Sequence, residues 1–360
     1  MSDRTALLPW LAEPLARGLG LRSHALLLHG PGGVGQFELG VALATGWLCE
    51  AQDSTLARPC GHCGSCHLMA MHSHPDFHLL VPAALREPLG WGAASDGDEP
   101  AKAGAAGKSA AKPSKEIRVD AVRAATDWGQ KTASRGRAKI ILIHPAQAMN
   151  AVTANALLKT LEEPPGRLRL LLTAHDPEAL LPTVRSRCQR LPLPLPPTTQ
   201  ALSWLAGQGL ERPETLLAAA GGQPLEALAI AADGIDAAAW EQLPSAVRHG
   251  RPAPLASWPL VRLIDALQKL CHDLMCHRAS GSPRYFSQAA LAPALRPNAP
   301  EWPALAQWSR ELLAAARHDE HPWHAALRIE ALVEQGARLW QTPRKTAFAG
   351  SGALDTLDAR

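Results

Sequence analysis

The chain has 360 residues, 46% of them hydrophobic, and a formal net charge of +3; that is enough for two or three domains and too weakly basic to imply a nucleic-acid or membrane partner by charge alone. The opening MSDRTALLPW carries an acid and no long apolar core, so no signal peptide is expected, and no run reaches the roughly 18 apolar residues of a membrane span. Seven cysteines, an odd number with three closely clustered, read as thiols of a reducing, cytoplasmic setting rather than as a disulfide framework.

In chain order, the apolar run HALLLHG (24–30) leads into a glycine-rich turn and a helix expected over 35–48. Then come DFHLLVP (76–82), a helix over 117–133, AKIILIHP (138–145), a helix over 153–163 and LRLLLTAH (168–175). Short apolar runs bounded by turns suit strands buried on both faces of a parallel sheet. Their alternation with helices predicts an α/β domain over 1–196. Residues 83–115, rich in Ala, Gly, Ser, Lys and Pro, read as a disordered insertion; Lys102, Lys108, Lys112 and Lys115 form a solvated charge run there.

The proline-rich LPLPLPPTT (191–199) marks the exit from the sheet. A small helical domain is expected over 197–240, with Gly221-Gly222 between two short helices. An all-α domain is expected over 241–342. In it Leu260, Leu263, Ile264, Leu267, Leu270 and Leu274 share one helix face, and Ala325, Ile329, Leu332, Val333 and Trp340 another. Residues 343–360 lack periodicity and read as a tail.

The glycine-rich turn reads Gly30-Pro31-Gly32-Gly33-Val34-Gly35-Gln36-Phe37, against the phosphate-loop template G-x-x-x-x-G-K-[ST]. Gln36 replaces the lysine, and an amide cannot neutralise phosphate charge. Phe37 replaces the hydroxyl that holds Mg²⁺. The strand KIILI runs into His144-Pro145-Ala146-Gln147, with no carboxylate to bind metal or orient water. The loop has the shape of a nucleotide site without its chemistry, and a stray acid past a strand, Asp176, is the alternative ligand a divergent ATP-binding enzyme would need.

TANALLKTLEEPP (153–165) and LLTAHDPEALLPTVRSRC (171–188), with the degenerate loop and the cysteine cluster, resemble the clamp-loader subunits of bacterial DNA polymerase III. The resemblance covers residues 8 to about 230. It implies an AAA+-type α/β fold followed by a small helical lid and an all-α collar. The residues of the hydrolysing members would fall at Gln36, Phe37, His144-Pro145, His175 and Leu225, and all are replaced, so no ATP is expected in this site. It implies hetero-oligomeric partners: ATPase subunits, a delta-type subunit and, through the complex, a sliding clamp and primed DNA, with no membrane. Ser186-Arg187-Cys188 matches the motif that projects an arginine into a neighbour's ATP site, which makes Arg187 a candidate finger acting in trans. From the residues alone, Arg187 reads instead as a surface ion-pair partner, as does Arg185.

Cys49, Cys60, Cys63 and Cys66 include two C-x₂-C steps sharing a cysteine. Such turns present neighbouring sulfurs to one ion, and four thiolates suit structural Zn²⁺, within a module expected over 47–78. Family resemblance implies the same four ligands, with His62, His67 and His72 as nearby substitutes. In CHDLMCH (271–277) His272 and Cys276, at i,i+4, could bind metal, but the cysteines Cys271 and Cys276 read rather as small core residues. A zinc-dependent nucleic-acid-binding protein is the remaining alternative.

Overall fold

The computed structural model describes residues 7–51, 58–92, 113–296, 298–317 and 324–341. The chain divides into two units, Met1–Ala229 and Ile230–Arg360. In the first, helix α1 (Ala12–Gly20) precedes strand β1 (Ala25–His29), and α2 (Gln36–Leu48) follows the glycine-rich turn. Next come α3 (Gly64–Ala70), β2 (Phe77–Leu80), α4 (Ala83–Arg86), α5 (Val119–Gly129) and β3 (Lys139–Ile143). Then α6 (Ala151–Glu162), β4 (Leu168–Ala174), α7 (Pro182–Arg185) and β5 (Gln189–Pro192) complete the sheet region.

The strands form one parallel sheet in the order β2-β3-β4-β1-β5. Alternate side chains enter two separate cores. Leu26, Leu28, Ile140, Leu142 and Leu171 pack with Leu39 and Leu43 of α2; Leu27, Ile141, Ile143, Leu170 and Leu172 pack with Val122 of α5 and Leu157 and Leu161 of α6. Strands apolar on both faces give no period of two, which is why they read as continuous runs. Asn150 starts α6 by accepting the Thr153 N–H at 3.0 Å.

Two expectations need correction. The fifth strand lies inside the proline-rich exit: Leu28 pairs with Leu191, and the Leu193 N–H donates to His29 O at 2.7 Å. The insertion also begins later than residue 83. Ala83–Arg86 is helical, and the Ala84 N–H donates to Ser114 O at 3.1 Å. Trp91 stacks on His72 with centroids 3.9 Å apart and meets the Phe37 ring edge-on at 6.5 Å; an indole with these partners fixes its segment. Lys102, Lys108, Lys112 and the tail 343–360 lie outside the described residues.

Helices α8 (Thr198–Gly207) and α9 (Pro213–Ala219) belong to the first unit, and α10 (Pro224–Ala232) runs on into the second. The second unit is helical: α11 (Ala237–Arg248), α12 (Leu260–Arg278), α13 (Gln288–Leu295), α14 (Trp302–Ala316) and α15 (Ala325–Ala337). Leu263, Leu267 and Leu270 of α12, Trp308 and Leu312 of α14 and Ile329 and Val333 of α15 are buried. Ala325 is exposed, so the α15 stripe starts one turn later than expected.

Candidate functional site

The glycine-rich turn follows the C-terminal end of β1. Gly35 takes φ +98, and Gly33 takes φ +64, both in the region that favours glycine. The Gln36 side chain folds back and donates to Gly30 O at 2.8 Å and also to Pro31 O. The Trp10 indole N–H donates to Val34 O at 2.8 Å, and the Leu225 N–H to Gly33 O at 3.1 Å. The turn that opens α10 packs against the loop: a Cβ on Gly33 would meet Glu226 at 3.1 Å and Gln223 at 3.3 Å. Gln36 thus ties the loop to itself, and the 223–226 turn closes over it. Leu225 thus meets this loop through its backbone N–H.

Phe37 is buried, its ring 4.9 Å from that of His144. Burial, reinforced by the charge of His175, holds the His144 pKa down to about 4, so the ring is neutral near pH 7. Its Nδ1 lies 2.7 Å from Thr173 Oγ1, whose hydroxyl donates to Ile143 O at 3.4 Å. Gln147 lies against the exposed His175 ring, with its Nε2 3.0 Å from His175 Nε2. Asp176 spends Oδ1 on the Glu178 N–H at 2.9 Å and caps a short turn. Amide, phenyl and neutral imidazole thus occupy the positions where phosphoryl transfer uses ammonium, hydroxyl and carboxylate.

Arg187 lies just beyond α7. Its Nε donates to Glu162 Oε1 at 2.6 Å and its Nη1 to Thr183 O at 2.9 Å. The two charged side chains keep 33% and 49% of their exposure, so the pair stabilises by about 1 kcal/mol at most. Arg185 is more enclosed and pairs with Glu178. Glu162, from LEEPP, is a partner the sequence did not single out. Burial pushes the Cys188 thiol up to about 12, leaving it an inert packing group.

The four cysteines come together. Their sulfurs all lie within 4.8 Å of one another, with Cys60 to Cys66 and Cys49 to Cys63 each 3.9 Å. A tetrahedron of thiolates at the Zn–S length of about 2.3 Å has edges of about 3.8 Å, so the arrangement fits such an ion. Cys63 Sγ accepts the Glu50 N–H at 3.4 Å and the Cys66 N–H at 3.5 Å. Burial pushes that thiol up, but these N–H donors outweigh it and bring the pKa to about 6. Cys66 moves the other way, chiefly through burial. The cluster can hold a metal ion. His62 instead turns its Nδ1 to Cys60 O, at 2.7 Å, and His72 stacks on Trp91.

A polar network behind this cluster was not legible from spacing. Glu50 Oε1 accepts from Arg135 Nε at 2.6 Å and from Ser65 Oγ at 3.1 Å. Ser65 Oγ meets His74 Nε2 at 3.0 Å, and His74 Nδ1 accepts the Asp76 N–H at 3.0 Å. Asp76 is fully buried and accepts the N–H groups of Ser134 at 2.7 Å and Arg135 at 2.8 Å. Arg135 holds the Glu50 carboxyl down to about 2. The network anchors the cysteine turn to the start of β2 and β3.

In the second unit, His272, Asp273 and Cys276 also lie close together. Asp273, however, is fully buried and accepts the N–H groups of Arg284, Tyr285 and Phe286 at 2.8–2.9 Å. Its oxygens are committed to that loop. Cys271 is buried and packs, as expected, whereas Cys276 remains partly exposed.

A parallel sheet with a glycine-rich turn after β1 defines a protein of the phosphate-loop type, here with the loop closed by its own neighbours. A family model described as DNA polymerase III, delta subunit, matches residues 18–197. The chain is 38% identical over 234 residues to the DNA polymerase III subunit delta' of Pseudomonas aeruginosa, spanning 63% of this chain and 62% of that one. It is 31% identical to the delta' subunit of Escherichia coli K12, spanning 72% and 76%. It is 33% identical to that of Haemophilus influenzae, spanning 76% and 79%. The chain belongs to the DNA polymerase III delta' family. Among the described residues no single helix is long and apolar enough to cross a membrane.

Proposed function

We propose that this chain is a non-catalytic subunit of a bacterial sliding-clamp loader that supplies Arg187 in trans to the ATP site of an adjacent ATPase subunit. The observation that carries the reading is the pairing of a closed, uncharged phosphate loop with a Ser-Arg-Cys arginine whose charge is met by one weak, half-exposed ion pair beside a hydrogen bond to the Thr183 carbonyl. A guanidinium is planar and always charged, which suits a γ-phosphate whose charge redistributes as it leaves. Releasing Glu162 costs little, so Arg187 is free to change partners on assembly.

In this reading residues 1–196 are the AAA+-type domain, 197–240 the lid and 241–342 the collar that joins the hetero-oligomer. The partners are ATPase subunits and a delta-type subunit, with the sliding clamp and primed DNA reached through the complex. Cys49, Cys60, Cys63 and Cys66 hold a structural Zn²⁺, which, when bound, cross-links the turn after α2 to α3 and offers no open position for a substrate. The test is Arg187→Ala in a reconstituted loader. DNA-stimulated ATP hydrolysis at the neighbouring site is expected to fall by about 10³-fold, with assembly intact on gel filtration. An unchanged rate would remove the finger assignment.

A further inference from the structure

At the N-terminal ends of the central strands, opposite the glycine-rich turn, lies a cavity of about 560 Å³. Five arginines line it: Arg22 before β1, Arg137 before β3, Arg167 and Arg169 at the start of β4, and Arg58 beside the cysteine turn. Among the described residues the remaining lining includes Trp47 and no Asp or Glu. The loop and this cavity lie at opposite ends of α2, whose 13 residues span roughly 20 Å. This is a separate place from the phosphate loop.

The charges here are poorly compensated. Arg58 donates to Ala51 O at 2.6 Å and Arg167 to Gly136 O at 3.3 Å, both neutral carbonyls. Among the described residues, none of the five pairs with a carboxylate. Arg169 lies over the Trp47 ring, 4.4 Å from its centroid. Its Nη1 and the Trp47 Nε1 are both buried without a hydrogen-bond partner. These two atoms are shut off from solvent, so the charge a ligand would meet is chiefly that of the more accessible Arg22, Arg58, Arg137 and Arg167.

We infer that this cavity binds a compact polyphosphate, either free or carried on a nucleotide. Arginine forks match phosphate oxygens in pairs, and five of them provide for more than one phosphate group. The volume falls in the range of small-ligand sites, about 300–1,000 Å³. Neither the closed loop nor Arg187 takes part.

The experiment is calorimetric titration of the full chain with sodium tripolyphosphate and, separately, with ATP in the absence of Mg²⁺. The wild type is compared with Arg22→Glu/Arg137→Glu and with Arg310→Glu/Arg338→Glu. The second double variant makes the same charge change at exposed positions of the other unit. Binding that weakens about tenfold or more in the first variant and is kept in the second supports the site. Arg22→Ala, at an exposed position, is expected to weaken it by a smaller factor with an unchanged melting curve. Similar binding of both ligands identifies the phosphate chain as what is recognised; binding of ATP alone places recognition on a nucleotide that carries it. No heat at millimolar ligand, or equal affinity in all variants, overturns the inference. So does a single-stranded oligonucleotide that binds where tripolyphosphate does not.

Discussion

Removing the Asp76 carboxylate is the most direct test of how the cysteine turn is tied to the sheet. Asp76 is fully buried and accepts two backbone N–H groups, at 2.7 and 2.8 Å, with Lys139 Nζ 4.0 Å away and itself only 5% exposed. Asp76→Ala strands those two donors and leaves the ammonium without a countercharge. Hydrogen bonds to a charged group contribute about 1.5–3 kcal/mol each, and breaking a buried pair costs about 3–5 kcal/mol. Lys139 keeps the Trp128 face, 3.6 Å from its Nζ, which sets the expectation in the lower half, about 3–4 kcal/mol. At about 2–4 °C per kcal/mol for a unit of this size, melting should fall by roughly 6–16 °C. Asp76→Asn retains one acceptor and should lose about half as much. Calorimetric melting at pH 7 measures both, and an Asp76→Ala midpoint within about 2 °C of wild type would refute the account of Asp76 as the anchor.

Acid should destabilise the first unit through His144. Burial holds its folded pKa at about 4, below an unfolded value of about 6.5. The unfolded chain therefore protonates first, and stability falls as pH drops from about 6.5 to 4, by roughly 3 kcal/mol. Burial lowers His74 and His72 as well, in the same direction. His144→Gln should flatten the slope of denaturant-derived stability against pH in that window; an unaltered slope excludes His144 as its source. Purified chain should release about one zinc per molecule on thiol modification with a colorimetric chelator present, and Cys63→Ser well under one. Equal release from both would deny the cysteines their role.

The sheet was largely legible because its central runs are apolar at most positions on both faces, as in KIILI and LRLLLTA, which burial on both sides favours. β5 was not, because only Leu191 of its four residues is buried and the strand ends in proline, so turn chemistry masked the pairing. The cysteine cluster could be read from C-x₂-C spacing, since a short turn presents neighbouring sulfurs to one ion, with Cys49 joining from the end of α2. The Glu50–Arg135–Ser65–His74–Asp76 network brings together residues from three distant segments, and no local pattern records such a meeting. The same holds for Glu162: the motif flagged Arg187, but its resting partner depends on how α6 and α7 pack. Trp91 was passed over because the composition around it is that of a linker; its rings of contact are tertiary.

The outer edge of β5 shapes how this protein can meet others. The Leu193 N–H turns inward to His29 O, and alternate residues of a strand point to opposite sides. The outward positions on either side of Leu193 are Pro192 and Pro194, which have no N–H to offer. The outward Pro192 O accepts from Arg17 Nη2 at 3.3 Å. A stray strand from a misfolded or crowding chain therefore finds no donor at Pro192 or Pro194 with which to extend the sheet past Arg190. An edge broken in this way is poorly suited to strand-to-strand pairing, and recognition of other proteins passes to side chains, where it can be specific.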